Sequence, residues 1–429
     1  MSKAISTILG GALLLTSVAS AAQAGGLERN GYNWDLLFDQ DRFASEAGVI
    51  YVMPDRKIKN AVDTDPRDGL GANGIGGGST STHETPNYTV PRFGAKVGLT
   101  PDADCLASYS QPWGVHTNPG ADWVGANQNI ETDIRSNDYG LTCSYKFDVG
   151  KGQLRAIGGV SYQAISGYKN RLVVGPAAFG PAAALFDGQG KLDLEADGVG
   201  WRIGAAYEIP EIAFRASLIY NAEIDLGQIN GTVDLTGLPP MSTGRLAPFA
   251  NRITDVYGTA TMPQSLEFKL QTGIAPDWLA FGSVKWVDWS VLNVVSFCPT
   301  STKGIVSCGP TSPVLLTTLD LMFQDGWTVA AGIGHKFNEQ WSGSAQLSWD
   351  RGTSTGLTTQ TDTYLLSGGV SYAPSKNVEL RLGGAVGMLT AGSYGPTSCP
   401  KTGGCGNDVT YDFGDDFVGA LSLSGKVKF

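Results

Sequence analysis

Along this 429-residue chain, apolar and polar side chains alternate in one segment after another. The last segment is the clearest. Phe417, Gly419, Leu421, Leu423, Gly425, Val427 and Phe429 share one face, while Val418, Ala420, Ser422, Ser424, Lys426 and Lys428 share the other. A period of two is that of a β-strand whose faces meet different surroundings. Trp341, Gly343, Ala345, Leu347 and Trp349 repeat the pattern, as do Tyr364, Leu366, Gly368, Val370 and Tyr372. In both, aromatic residues stand at the two ends of the apolar face, where membrane–water interfaces favour them.

The connections between segments alternate in length. Short ones fall near 100–102, 148–152, 209–211, 275–277, 338–340 and 374–376, and long Gly-, Pro-, Ser- and Thr-rich stretches lie between them. Fourteen segments are counted, at about 47–53, 90–100, 103–112, 127–147, 153–169, 190–208, 212–228, 261–274, 278–292, 325–337, 341–350, 361–373, 377–390 and 415–429. This asymmetry predicts an all-β fold: a transmembrane antiparallel β-barrel of about fourteen strands, with short periplasmic turns and long extracellular loops. The expected location is therefore a bacterial outer membrane.

Ahead of the barrel, Lys3, the apolar run Ile5–Val18 and Ala22-Gln23-Ala24 form a secretory signal over 1–24. Residues 25–46 mix Trp34, Leu36, Leu37, Phe38 and Phe43 with seven or so charged side chains. Such a mixture suits an N-terminal plug that packs inside the lumen and meets a polar wall. The barrel is expected over 47–429.

Composition narrows the function. Net charge is −10, which disfavours nucleic acid as a partner. His83, His116 and His335 are the only histidines and are widely spaced, so no nucleophile–base arrangement emerges and an enzyme is not expected. No cofactor and no metal site is expected either, because no histidine lies near a cysteine pair. Six cysteines in an exported chain point to disulfides. Cys105 and Cys143 fall at similar heights on neighbouring strands, and each remaining pair shares a loop. The pairings 105–143, 298–308 and 399–405 follow, among 15 connectivities.

Candidate ligand contacts come from two nearly uncharged outer loops. After the fifth strand stand Leu172, Val173, Val174, Phe179, Leu185 and Phe186; after the seventh stand Leu238, Met241, Leu246 and Phe249. Exposed apolar surface of this size marks recognition, although two such loops can also cover one another. Period-two bookkeeping turns Arg155, Arg202, Arg215, Lys269, Lys285 and Arg381 inward, mostly toward Glu208, Glu267, Glu379 or Asp288. Arg155 and Lys285 have fewer acids on the same face of their own strands and are the expected contacts for an anionic headgroup. Pro112 and Gly114, at the end of the third strand, either open a local gap in pairing or simply end the strand.

Several short stretches carry a family likeness. They are Tyr109-Ser110-Gln111-Pro112-Trp113-Gly114, Pro263-Gln264-Ser265-Leu266-Glu267, Lys285-Trp286-Val287-Asp288-Trp289-Ser290, Asp325-Gly326-Trp327 and Asp362-Thr363-Tyr364. In this order and at these strands they resemble the FadL/TodX (OmpP1) family of outer-membrane transporters. The resemblance implies passive uptake of long-chain fatty acids or related hydrophobic molecules. Capture at a groove between the two apolar loops, rearrangement of the plug and lateral release past the third-strand kink are implied with it. The family's Asn-Pro-Ala plug element has no counterpart here, so the plug's geometry is left open. The terminal Phe429 resembles the recognition signal of such barrels. Barrel assembly machinery, outer-membrane lipid and lipopolysaccharide are thus expected partners of a monomer. A general diffusion porin for hydrophilic solutes is the alternative, and it would lack the apolar outer loops.

Overall fold

A computed structural model of the protein describes residues 26–65, 78–175 and 185–429. The signal segment 1–24 and Phe179 lie outside the described residues. Fourteen antiparallel strands close into a barrel. They are β1 Phe43–Pro54, β2 Tyr88–Gly98, β3 Ala103–Ser110, β4 Glu131–Val149, β5 Gly152–Val173, β6 Gly188–Ile209 and β7 Phe214–Asn221. The circuit continues with β8 Ser265–Ala275, β9 Trp278–Val287, β10 Gly326–Lys336, β11 Trp341–Asp350, β12 Thr363–Ser375, β13 Val378–Leu389 and β14 Asp416–Lys428. Closure comes from β1 pairing with β14, Ala44 opposite Lys428 through to Pro54 opposite Val418.

Alternation does what the pattern requires. Leu382, Val386, Leu421, Leu423, Ile203 and Leu366 are exposed on the outer face, as lipid contact demands. Lys96, Arg155, Arg202, Arg215, Lys285, Arg381 and Lys426 are buried on the inner face. Tyr109 stands opposite Tyr139, and Tyr139 opposite Tyr162, on the outer side of the wall. Trp327, opposite Trp286, and Trp349, opposite Tyr364, continue this aromatic ring. Trp341, opposite Tyr372, belongs to a second ring beside the short turns.

Among the boundaries that differ from the sequence reading, two bear on the interior of the barrel. The ladder begins at Phe43, so residues 43–46 belong to the barrel and the segment inside it ends at Arg42. Glu46 hides this, because a carboxylate argues against a lipid-facing strand, yet it points inward and pairs with Arg92 and Arg381 at 2.9 Å each. The third strand stops at Ser110, two residues early, for reasons given below.

Strands β4, β5 and β6 run for 19, 22 and 22 residues and carry their ladders well beyond the aromatic ring. β7 stops at Asn221, and the outer half of β6 pairs instead with Ile229–Asp234, Asn230 opposite Glu195. That strand leads to Ile253–Gly258, Val294–Pro299 and Thr317–Asp320. A separate sheet of Lys57–Asp63, Thr82–His83, Val409–Phe413 and Gly392–Tyr394 covers the other side. The three disulfides join Cys105 to Cys143, Cys298 to Cys308 and Cys399 to Cys405, as the sequence led us to expect.

Candidate functional site

Residues Gly26–Arg42 thread among the inward side chains of the barrel. Lys96 of β2 donates to the carbonyls of Asp39 and Asp41 at 2.9 and 2.6 Å. Lys426 of β14 pairs with Asp39 at 3.0 Å, and Lys269 of β8 with Asp35 at 3.0 Å. Arg215 and Lys269 lie 4.3 Å over the rings of Phe38 and Trp34. Trp34, Leu36, Leu37 and Phe38 are buried together with Leu106, Ile157 and Ile219 of the wall. A short 3-10 turn at Asp35–Phe38 brings these apolar residues together, while charge at 35, 39 and 41 answers the cations around them.

This segment engages both cations expected to meet a headgroup. Arg155 donates to Glu208, Asp104 and Ser144 at 3.0, 3.0 and 2.9 Å, and to the Leu37 carbonyl at 3.2 Å. Lys285 pairs with Glu28. The sequence reading counted acids on the same face of each cation's own strand and so missed Asp104 on β3 and Glu28 of the N-terminal segment. Both side chains hold the inner segment. Of the acids expected to pair with the wall cations, Glu208, Glu267 and Glu379 do so, with Arg155, Lys269 and Arg381. Asp288 instead accepts from Gln264 and Ser290.

The wall itself breaks beside Pro112. β3 pairs with β4 as far as Ser110 opposite Asp138, and pairing resumes at Gly114 opposite Arg135. Three residues, Gln111 to Trp113, therefore face two, and Pro112 supplies no ladder donor there. Among the described residues, the resumed strand, Gly114–Thr117, pairs only with β4. On its other side the β2–β3 ladder has ended at Arg92, and Tyr88–Pro91 pair with β1 alone. The inner segment takes up the unused groups: Arg29 N–H donates to the Pro112 carbonyl at 2.9 Å, and Gly114 N–H to the Leu27 carbonyl at 2.7 Å. Pro112 and Gly114 thus flank a gap just outward of Tyr109, at the level of the aromatic ring. Gly114 is needed there, since a Cβ would lie 2.6 Å from Arg29 Nε and 2.8 Å from the Ile134 carbonyl oxygen.

Three adjoining cavities lead to this gap. One of about 60 Å³ is bounded by Leu27, Trp113, Ile165, Leu194, Met262 and Phe297. A second, of about 110 Å³, shares Leu27, Ile134, Leu319 and Leu321 with it and adds Lys169, Glu84, Asn129 and Tyr411. The third, of about 120 Å³, shares Val115, Thr117, Thr359 and Gln360 with the second and reaches Arg29, Tyr88 and Gly114. Trp113 bounds the apolar cavity together with Leu27 of the inner segment, and packs edge to face on Tyr32 at 5.6 Å and on Trp289 at 5.2 Å.

The two outer loops meet one another. Val173 and Leu238 are buried in one cluster with Leu235, and Met241, Leu246 and Phe249 pack partly buried against it. Leu172 packs against a second cluster around Trp123 and Tyr411. Val174 and Phe186 are half-buried, and Leu185 projects into solvent at 76% exposure. The sequence reading missed Arg29 and Lys169. Lys169 has the odd-numbered parity of inward Arg155, Gln163 and Ile165, but it stood at the assigned end of its strand.

Among the described residues, then, the fold defines a closed outer-membrane barrel whose bore is crossed by its own N-terminal segment and whose wall is broken at one strand. The chain belongs to the outer membrane protein transport family OMPP1/FadL/TodX, whose model matches residues 15–393. It is 23% identical over 390 residues to a long-chain fatty acid transport protein of Salmonella typhi, covering 85% of this chain and 81% of that protein. A FadL homologue of Pseudomonas aeruginosa shares the fold at a TM-score of 0.74 and 15% identity, over 96% of this chain and 98% of that one. The toluene transporter TodX of P. putida superposes with a TM-score of 0.60 at 16% identity, over 92% of each chain. The protein is accordingly an outer-membrane transporter of fatty acids or other hydrophobic compounds, and its family is one of transport channels rather than enzymes.

Proposed function

We propose that the protein takes up long-chain fatty acids or related hydrophobic molecules passively and releases them sideways. Cargo is collected at the apolar surface of the outer loops, where Leu185 is exposed and Met241, Leu246 and Phe249 are partly buried. From there it enters the cavity beside Trp113 and moves along the Gly114–Thr117 strand. The inner segment Gly26–Arg42 acts as the plug, and the gap beside Pro112 and Gly114 is the exit. One observation carries this reading: three cavities with shared walls end at the place where the ladder is broken. No energy source is needed, because transfer of apolar surface from water toward lipid is itself favourable.

A reversible tether tests it. In proteoliposomes, a Glu28→Cys/Lys285→Cys pair is oxidised to fix the inner segment to β9, and entry of a fluorescent fatty acid is followed. Uptake is expected to stop on oxidation and return on mild reduction, with the unmodified protein insensitive to both treatments. Unchanged uptake by the oxidised pair overturns the plug and exit reading. Swelling of the same liposomes by sugars would instead favour a hydrophilic porin.

A further inference from the structure

Among the described residues, the inner segment carries one buried cation, Arg29, that no carboxylate pairs with. Arg29 is 4% exposed, and among the described residues its guanidinium has neither a hydrogen-bond acceptor nor an ion-pair partner. Its position is nevertheless defined. The guanidinium lies 4.6 Å over the Tyr88 ring on β2 and packs against the Cα of Gly114 on the opposite lip of the gap. A buried charge is normally paired, since leaving water is costly unless another charge or several acceptors replace it. The carboxylates around it are committed elsewhere. Glu28 is held by Lys285, and both oxygens of Asp133 are held by Arg135 at 3.0 and 2.5 Å. Glu131 faces His116 at 3.3 Å.

What surrounds Arg29 suits one chemistry. The cavity of about 120 Å³ is lined by Thr85, Thr117 and Thr361, by the committed Glu28 and Arg56, and by the aliphatic Val52, Leu389 and Val418. A single water needs only ~10–15 Å³ on this measure, so there is room for the head of an amphiphile. The next cavity inward holds a second cation, Lys169, also without a hydrogen-bond or ion-pair partner among the described residues. The two cations therefore flank the same Gly114–Thr117 strand.

We propose that Arg29 is an anion-binding station at the lateral gap, and that it selects cargo bearing a carboxylate over neutral cargo of equal chain length. Lys169 receives the headgroup first, and Arg29 receives it at the exit, through a charge-assisted bidentate contact. This proposal rests on the uptake reading and adds the class of molecule carried.

The test compares laurate with dodecanol in proteoliposomes of the full chain. Arg29→Gln is expected to lower laurate uptake by about tenfold or more, the scale of losing one partner of a buried charge contact. Dodecanol uptake should be unchanged, and Arg29→Lys should restore part of the laurate rate. Equal laurate uptake by wild type and Arg29→Gln overturns the proposal, as does an equal loss for both cargoes. If wild type carries neither, the uptake reading itself has failed, a result distinct from these. Calorimetry on the wild type needs no variant to fold: laurate should bind more tightly than dodecanol, and equal affinity counts against the station. Dodecyl phosphate, run in parallel, separates a carboxylate site from a general anion site.

Discussion

Lys285 of the ninth strand grips Glu28 of the inner segment, and the pair sits where Trp113 and Trp289 meet edge to face. Both partners are buried and come from positions 257 residues apart. Removing one member of such a pair leaves an unanswered charge, at a cost of about 3–5 kcal/mol. Lys285→Met is therefore expected to loosen residues 26–42 without opening the barrel. Hydrogen exchange should rise in that segment and stay unchanged in β10–β14, and Lys285→Met/Glu28→Met should recover much of the protection. Uniform exchange across the chain would show that the pair does not hold the segment.

A side chain at position 114 is expected to disable the gap. Gly114→Val must displace Arg29 or the Ile134 carbonyl, and overpacking of this kind costs about 1–3 kcal/mol. The barrel should still form, judged by its heat-modifiable migration on gels, while fatty acid entry into liposomes falls. Normal entry would mean that cargo does not pass between Tyr88 and Gly114.

The disulfides should differ in worth. Cys105–Cys143 spans 38 residues and Cys399–Cys405 only 6. Loop-closure entropy alone gives about 4 against about 2 kcal/mol. Cys105→Ser/Cys143→Ser is expected to lower the unfolding temperature in detergent more than Cys399→Ser/Cys405→Ser does. The reverse order would indicate that the outer sheet, and not the β3–β4 seam, is the weak part of the structure.

Acid should tighten one part of the outer cap. Glu84 lies under the cap, accepts from Thr359 at 2.6 Å, and is held by burial above its ordinary pKa of 4.5. A carboxyl raised in the folded state contributes most below its unfolded value, and that contribution is lost as pH climbs through the raised one. Proteolysis of the 78–87 and 351–362 segments should therefore be slower near about pH 5 than near about pH 8. Glu84→Gln should flatten this slope, and an unchanged slope would assign it to another group.

Much of the architecture was legible because a barrel strand faces two solvents, and alternation at Leu421, Leu423 and Leu382 records that directly. The Cys105–Cys143 disulfide was legible for the same reason, since strand heights can be counted from the short turns, and the other two because each pair shares one loop. The ion pairs across the bore were not. Arg155 meets Asp104 and Leu37, and Lys285 meets Glu28, and no periodicity reports contacts made through the lumen by a segment without one. The gap was half legible: Pro112 signalled a break, but the pairing of Leu27 and Arg29 with its freed groups depends on where the N-terminal segment lies. Arg29 was read only as one of several charges by which the N-terminal segment meets the lumen wall.

The continuous ladders of β4, β5 and β6 have a mechanical consequence. They make the outer half of the molecule a stiff chimney rather than a hinged lid, with its crown knitted into the same sheet as its base. On the uptake reading proposed above, the piece free to shift when a guest arrives is the stretch ahead of Phe43, which is tied down by side chains and by the backbone bonds at Pro112 and Gly114 instead of by a strand ladder.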